Sequence, residues 1–305
     1  MSASHSRRLL EGLNPQQSAA VTHFGGPLLV VAGAGSGKTR VLTRRIAYLM
    51  AERGVQPFEI LAITFTNKAA GEMKERVSEL VGNRAKIMWV STFHSACVRI
   101  LRQEAVRLGF STTFSIYDQA DSLRLVTLVM RDLNLDPKRY NPRGVASVIS
   151  NAKNELLGPA DYRNATQNSF EEVVAEVYAI YQQRLTSANA MDFDDLIMKT
   201  VEVMQKFPES RARYRHRFKH ILVDEYQDTN HAQYILIREL VGTDREGIPA
   251  AELCVVGDAD QSIYGFRGAT IRNIMQFEED YPDATTILLE QNYRSTQNIL
   301  SAANA

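Results

Sequence analysis

Residues Ala32-Gly33-Ala34-Gly35-Ser36-Gly37-Lys38-Thr39 decide the fold of this 305-residue chain. They join an apolar run, 27–32, to a stretch, 38–51, whose apolar residues recur at helical spacing. In that context glycines let several backbone N–H groups point at phosphate oxygens, and the helix N-terminus adds partial positive charge. The segment therefore predicts a phosphate-binding loop, with Lys38 on the β and γ phosphates and the Thr39 hydroxyl on Mg²⁺. The simpler alternative is a glycine-rich turn with a chance lysine.

Six short apolar runs predict the strands of a parallel sheet. They are 27–32, 60–65, 87–92, 220–224, 253–257 and 286–289. Most are apolar throughout, as in strands that are covered on both faces. Helices predicted at 38–51 and 67–81 fall between them, which indicates an α/β domain with crossover helices.

The stretch between Thr92 and Asp192 lacks strand signals and predicts an inserted, mainly α-helical subdomain. One helix is expected to start near Asp118, and another has Asn141 as N-cap and is expected to end at Gly158-Pro159. The next helix is expected to open with the capping-box pattern Ser169-Phe170-Glu171-Glu172.

A pair of acids follows the strand predicted at 220–224. Asp224 and Glu225 end that run, and a carboxylate at the C-terminal edge of a parallel strand faces the phosphates. Asp224 is therefore the candidate Mg²⁺ ligand together with Thr39, and Glu225 is the candidate base that polarises the attacking water. Such acids also cap following helices, and Asp228 is open to that reading alone.

Composition limits the partners and the compartment. Thirty-five Lys and Arg balance thirty-five Asp and Glu, so any nucleic-acid site must be local. The two cysteines, Cys97 and Cys254, lie in apolar stretches and indicate neither a disulfide framework nor a zinc site. We find no export signal and no membrane span, and we expect a cytoplasmic, nucleoid-associated protein.

Eight motifs in order give the chain a resemblance to superfamily 1 DNA helicases of the UvrD/PcrA/Rep group. The segments that resemble family motifs are 13–17 (Q motif), 32–39 (I), 64–70 (Ia), 91–95 (Ib), 191–195, 224–228 (II), 257–269 (III) and 291–295 (IV). The resemblance implies a RecA-like ATPase domain, 1A, at 1–110 and 191–290, and a helical insertion, 1B, at 111–190. It assigns 291–305 to the start of a link towards a second motor domain that this chain does not contain.

The resemblance also implies roles for individual residues. The expected nucleotide-binding residues are Gln17, which pairs with adenine, Gly33, Ala34, Gly35, Ser36, Gly37, Lys38, Thr39, Arg40 and Tyr293, which stacks on adenine. The expected catalytic residues are Lys38, Glu225, Gln261 and Arg294. The expected DNA-binding residues are Phe65, Asn67, Thr92, His94, Phe193, Tyr264, Phe266 and Arg267. For the aromatic residues the alternative is core packing, for Arg267 a surface ion pair, and for Arg40 a solvated helix position.

The implied function is an ATP-dependent DNA helicase that uses Mg²⁺ and moves 3′ to 5′ in DNA repair. Its expected partners are single-stranded and tailed duplex DNA, with repair proteins as a further candidate class and the oligomeric state open. We expect this chain to be an N-terminal fragment that does not unwind DNA alone. A catalytically weak DNA-binding fragment and a P-loop enzyme of another class, such as a nucleotide kinase, are the alternatives. The basic run 211–220 is better explained as a solvated helix than as a DNA site.

Overall fold

The computed structural model describes residues 8–33, 35–243, 247–258, 277, 279–291 and 293. Its contacts divide the chain into two compact units. The first comprises Met1–Phe93, Ala212–Thr229 and Leu240–Ala305, and the second comprises His94–Arg211 and Asn230–Glu239. The bounds of these two units are not those of the predicted domains, and the insertion expected at 111–190 stays a prediction.

The described residues form strands, α-helices and short 3-10 turns. The strands are β1 Leu28–Ala32, β2 Ile60–Thr64, β3 Trp89–Thr92, β4 Ser115–Tyr117, β5 Ala190–Asp192, β6 His220–Val223, β7 Glu252–Gly257 and β8 Thr285–Leu289. The helices are α1 Pro15–Thr22, α2 Lys38–Glu52, α3 Asn67–Val81, α4 Phe93–Glu104, α5 Gln119–Asp132, α6 Pro142–Asn154, α7 Pro159–Ala165, α8 Ser169–Ser187, α9 Phe193–Lys206, α10 Pro208–Arg217 and α11 His231–Val241. The 3-10 turns are Pro57–Glu59, Gly82–Ile87, Ala105–Leu108 and Tyr226–Asp228.

The first unit is built on a six-stranded sheet in the order β3-β2-β6-β7-β1-β8. Every neighbouring pair in it is parallel. All six predicted strands are therefore confirmed, together with the mixed α/β class. Because the strands are parallel, the loops that follow β1, β6 and β7 leave the same edge of the sheet. That edge carries the candidate site.

Buried helix faces close the first unit. The four apolar residues that define the predicted face of α2 are all buried, namely Val41, Leu42, Ile46 and Leu49. They pack with strand residues such as Val30 and Val256 in one apolar core. Helix α3 begins after Thr66, whose hydroxyl accepts from the backbone N–H of Ala69 at 3.1 Å. Met73 and Val77 of α3 belong to the same apolar core. Burial against the sheet therefore explains the hydrophobic periodicity of both helices.

The second unit is mainly helical, with its own apolar core between α5, α6 and α8. It also contains a parallel pair of three-residue strands, β4 and β5, that the sequence analysis missed. The helix start predicted near Asp118 and the predicted N-cap Asn141 are confirmed, since each of these side chains accepts a backbone N–H of the first turn that follows it.

One helix boundary and one capping residue in the second unit were predicted wrongly. Helix α6 ends at Asn154, and Gly158 is the N-cap of α7, so Gly158-Pro159 opens a helix and does not end one. Proline suits the first turn of a helix because its missing N–H is unsatisfied there anyway. Helix α8 begins at Ser169 as predicted, but its N-cap is Asn168, whose side chain accepts from the Glu171 N–H at 3.0 Å.

Candidate functional site

The loop after β1 has the backbone of a phosphate cradle. Gly35 and Gly37 have φ values of 74° and 88°, in the left-handed region that glycine adopts at little cost. A Cβ on Gly37 would also come within 2.8 Å of the Gln17 Nε2 atom, so no larger residue fits there without a shift. The Ser36 hydroxyl donates to the Gly33 carbonyl at 2.7 Å and tightens the turn. Gly37 is the N-cap of α2, so the positive end of that helix faces the loop.

Lys38 extends from the first turn of α2 to two carboxylates at neighbouring strand ends. Its Nζ lies 3.2 Å from Glu225 Oε2, after β6, and 3.5 Å from Asp258 Oδ2, after β7. The Lys38 side chain is 12% exposed, so its charge needs such partners when no phosphate is present. The arrangement brings together the lysine and the acid that the sequence assigned to catalysis.

Glu225 adopts an unusual backbone conformation. Its φ and ψ are 49° and 46°, the left-handed region that residues with a Cβ rarely occupy. The Glu225 carboxylate accepts from Lys38 Nζ and from Gln227 Nε2, the latter at 2.9 Å, and its side chain is still 38% exposed. Strained backbone of this kind persists where surrounding contacts over-determine it and clusters at active sites. The contacts of Glu225 leave it open to a solvent molecule.

Two residues of this site were missed by the sequence analysis. Asp258 is buried beside Lys38, and the buried Gln227 side chain accepts the Asp258 backbone N–H at 2.9 Å while donating to Glu225. Gln227 therefore links the ends of β6 and β7. Both residues lie inside motifs II and III as quoted, and their position in the loops that follow two buried runs was the available signal.

Asp224 is the buried carboxylate of the site. Burial, and then the neighbouring charge of Glu225, raises the pKa of Asp224 to about 6. The Glu225 backbone N–H donates to Asp224 Oδ1 at 3.1 Å, which offsets part of that rise. A divalent cation would favour the charged form of the carboxylate. Asp224 and the half-buried Thr39 offer hard oxygen donors, the type that Mg²⁺ prefers, and Mg²⁺ needs few protein ligands because phosphates and water complete its shell.

We expect Asp224→Asn to stabilise the nucleotide-free chain at neutral pH. Because the pKa of Asp224 is raised to about 6, its charged form destabilises the folded state above that pH, and the penalty disappears as pH falls towards 4. Thermal unfolding of both proteins at pH 7.5 and pH 5 tests this, with Mg²⁺ absent. The variant should melt a few degrees higher at pH 7.5, and the difference should shrink at pH 5. A difference that stays constant across this range would contradict the raised pKa.

The Q-motif residues lie against the phosphate loop, although Gln17 makes contacts that its predicted role did not include. The buried Gln17 side chain accepts the Asn14 N–H at 3.1 Å and donates to the Ser36 carbonyl at 2.9 Å. Both ends of the amide thus serve the protein, and adenine recognition by Gln17 stays a prediction. Arg40 is exposed, and its Nη2 lies 3.4 Å from the Glu11 carbonyl.

Tyr293 meets the same loop from motif IV. Its backbone N–H donates to the Gly35 carbonyl at 2.9 Å, and its hydroxyl accepts from Asn14 Nδ2 at 2.9 Å and donates to Gln291 at 2.8 Å. The residue remains 54% exposed. A ring held at its edge, with exposed area, is suited to stacking on a planar base.

Three of the expected DNA-binding residues lie in the first unit at the ends of β2 and β3. The Phe65 ring packs edge-on against the buried Phe93 ring, with centroids 5.6 Å apart. Asn67 is exposed at the start of α3, and Thr92 is buried at the end of β3. Core packing therefore accounts for part of the Phe65 surface, and DNA contact by these residues stays a prediction.

Two further expected DNA-binding residues lie together in the second unit. Phe193, the first residue of α9, is 47% exposed, and its ring meets the His94 ring at 90° with centroids 5.7 Å apart. An exposed aromatic ring braced by a second ring is the kind of platform on which nucleic-acid bases stack.

The sequence of the chain matches a known protein family. Residues 13–282 match the UvrD/REP helicase N-terminal domain. The chain belongs to the UvrD/REP helicase family. This membership also establishes the RecA-like fold of its parallel-sheet domain.

Individual relatives agree with the family match. The chain is 66% identical over 307 residues to the ATP-dependent DNA helicase UvrD1 of Mycobacterium tuberculosis, strain CDC 1551 / Oshkosh, with 99% of this chain covered. It is 54% identical over 299 residues to the ATP-dependent DNA helicase PcrA of Bacillus subtilis, strain 168, with 98% of this chain covered. In both cases the match spans 40% of the relative's own length.

Some family positions fall outside the described part of the chain. They are Ala34, Gln261, Tyr264, Phe266, Arg267 and Arg294, so their roles stay predictions. Among the helices that the structure describes, none has the length and apolar character needed to cross a bilayer.

Proposed function

We propose that the protein containing this chain is an ATP-dependent DNA helicase that couples hydrolysis to movement along single-stranded DNA, 3′ to 5′, in DNA repair. The observation that carries the proposal is Lys38 held between Glu225 and Asp258 beside the glycine-rich loop. Family membership and the names of the relatives support the same activity. We also propose single-stranded and tailed duplex DNA as substrates, repair proteins as partners, and a cytoplasmic, nucleoid-associated location.

The ATP phosphates would enter the loop 33–39 and take over Lys38 from its two acids. Once Lys38 turns to the phosphates, Glu225 loses a cationic partner and is left with Gln227 as its donor. A carboxylate with one donor and exposed surface can accept a proton from a water molecule that attacks the γ-phosphorus. Opening the Lys38–Glu225 pair by substrate would therefore activate the base only when ATP is present.

Mg²⁺ would be held by Asp224 and Thr39 and, when bound, would neutralise charge on the β- and γ-phosphate oxygens. Asp224 lies at the end of β6, while Thr39 follows Lys38 on α2. Gln227 would hold the segments that follow β6 and β7 together, because its side chain bonds to Glu225 and to the Asp258 backbone. We assign Gln261 and Arg294 to the γ-phosphate, and Gln17, Arg40 and Tyr293 to the nucleoside side.

DNA would be held by stacking and by local donors, because the chain carries no net charge. We assign contacts to Phe65, Asn67, Thr92, His94, Phe193, Tyr264, Phe266 and Arg267. The exposed ring of Phe193 and the ring pair Phe65–Phe93 support this assignment in the described residues.

We expect Phe266→Ala to weaken binding of single-stranded DNA and to reduce DNA-stimulated ATP hydrolysis while basal hydrolysis is retained. Stacking is worth roughly 1–3 kcal/mol per base by alanine substitution. Fluorescence anisotropy with a short labelled oligonucleotide measures the affinity, and Phe58→Ala, at an exposed phenylalanine outside the motifs, is the matched control. Unchanged affinity together with unchanged stimulation would place Phe266 in the core.

A second candidate, a catalytically weak DNA-binding fragment, is favoured by the 40% share of the relatives that the chain spans. We propose that this chain alone binds nucleotide weakly and does not unwind a duplex. The test measures phosphate release with and without DNA and strand displacement on a 3′-tailed duplex, with a full-length relative as control. DNA-stimulated release supports the ATPase reading, whereas transfer of phosphate to an acceptor would indicate a kinase. ATP-dependent unwinding by the chain alone would contradict the fragment proposal.

A further inference from the structure

The second unit contains a lysine that the nucleotide chemistry does not use. Lys153, in the last turn of α6, has a side chain that is 0% exposed. Its Nζ donates to Asp192 Oδ2 at 2.6 Å and lies 2.9 Å from Asp195 Oδ1. The Tyr181 hydroxyl donates to the same Asp192 oxygen at 2.7 Å, and Gln182 Nε2 donates to Asp195 at 3.1 Å. These five side chains form the Lys153 cluster.

A buried ionic cluster of this kind is weak evidence for a role in stability. Taking charges out of water costs several kcal/mol per ion, and well-packed apolar residues often replace a buried ion pair without loss. The pKa values of the two acids are shifted in opposite directions. Burial raises the pKa of Asp195, whereas the Lys153 charge holds the pKa of Asp192 below its usual range. A role other than stability would explain why polar groups fill this position.

The cluster holds the backbone on both sides of Phe193. Asp192 is the N-cap of α9, and its carboxylate accepts the Asp195 N–H at 2.8 Å, while Asp195 accepts the Asp192 N–H at 3.3 Å. Phe193 is the residue that follows the cap. Because Lys153 binds both capping carboxylates, it fixes the first turn of α9 from which the Phe193 ring extends towards His94.

We propose that Lys153 is a positioning residue for Phe193, holding the first turn of α9 so that the exposed ring keeps one orientation for stacking on a DNA base. The proposal rests on the proposed function, in which Phe193 contacts DNA. Without the lysine charge, Asp192 and Asp195 repel each other in a buried site, so the reciprocal cap opens and the ring loses its fixed direction.

The test uses the 305-residue chain and a labelled single-stranded oligonucleotide at one fixed salt concentration. Lys153→Met keeps the length of the side chain and removes its charge. We expect it to weaken DNA binding about as much as Phe193→Ala does, roughly 5- to 150-fold if one stacked base is lost. The double variant should bind no more weakly than Phe193→Ala alone, because both changes remove the same contact. Fully additive losses would overturn the proposal.

A matched control separates positioning from general destabilisation. Val145→Ala removes buried apolar volume from the same helix, α6, away from the cluster. It should lower the melting temperature and leave DNA affinity unchanged. Equal losses of affinity in Val145→Ala and Lys153→Met would show that the lysine acts only through stability. If Lys153→Met does not fold, Tyr181→Phe, which removes one bond to Asp192, should weaken binding by a few-fold, and unchanged affinity would refute the proposal.

A measurement without DNA distinguishes failure of this inference from failure of the proposed function. The Phe193 ring lies edge-on to His94, so its ring current shifts the imidazole proton resonances of His94. In Lys153→Met these resonances should move towards their positions in Phe193→Ala, whereas Val145→Ala should leave them in place. If Phe193→Ala binds DNA normally, the DNA contact is wrong while the resonances still decide whether Lys153 positions the ring. If Phe193→Ala binds weakly and Lys153→Met leaves both readouts unchanged, the positioning role is wrong.

Discussion

Replacing Lys38 with alanine is expected to abolish ATP hydrolysis in the full-length protein that contains this chain. The ammonium group belongs to the last but one residue of the phosphate loop, and it lies between Glu225 and Asp258. Alanine removes the charge that would neutralise the β and γ phosphates as the bond to the leaving group breaks. Steady-state phosphate release should fall by at least about 10²-fold, and nucleotide binding should weaken as well.

The same substitution leaves a local fingerprint in the protein without nucleotide. The Glu225 and Asp258 carboxylates lose their shared cation, so the variant should unfold at a lower temperature than the wild type at neutral pH. Lys206→Ala, which removes an exposed lysine paired with Glu202 in the other unit, is the control for loss of one positive charge. Wild-type hydrolysis rates in Lys38→Ala would show that the loop 32–39 is not the phosphate site.

The parallel sheet could be predicted because its strands are nearly uniform apolar runs. Each of the six strands has buried residues along its length or at its C-terminal end. The glycine loop and the acids follow the C-terminal ends of β1, β6 and β7. Such a run of apolar residues can be recognised from a few neighbouring positions, and it indicates a strand that is covered on both faces. The short strands β4 and β5 gave no such signal, since three residues do not establish a period and their partners are distant in the chain.

Helix boundaries show where local rules competed. Ser169 and Asn168 are both good N-caps, and only the observed bond from the Glu171 N–H to Asn168 decides between them. Gly158-Pro159 is compatible with the end of one helix or the start of the next, because proline stops a preceding helix and also favours the first turn. A single sequence does not rank these choices.

The candidate site was only partly predictable. Short motifs whose chemistry can be predicted from the sequence contain Lys38, Asp224 and Glu225. The bond from Gln17 to Ser36 and the burial of Lys153 were not, because each depends on contacts between distant segments. A lysine in an amphipathic helix reads as solvated until its acidic partners, 39 or more positions later in the chain, are known.

Glu225→Gln is expected to leave ATP binding intact and to slow turnover by ~10²–10⁴-fold, the usual contribution of a general base. Glutamine keeps the size of the side chain and its bond to Gln227, while the amide cannot take a proton from water. Lys38 retains Asp258 as its partner, so the phosphate cradle should survive. Removing the Glu225 charge should also lower the pKa of Asp224 from about 6, because that charge is the second cause of its rise.

Two measurements on the full-length protein separate the base from a mere partner of Lys38. Equilibrium binding of a fluorescent ATP analogue should give a near-normal Kd, and single-turnover hydrolysis should give the slow step. Glu79→Gln, at an exposed position of α3, is the matched control and should behave as wild type. If Glu225 only neutralised Lys38, the variant would bind ATP more tightly and still turn over at nearly the normal rate, since the phosphates replace the carboxylate. If Glu225 is the base, and neither Asp224 nor Asp258 can replace it, the variant must instead be slow in the chemical step.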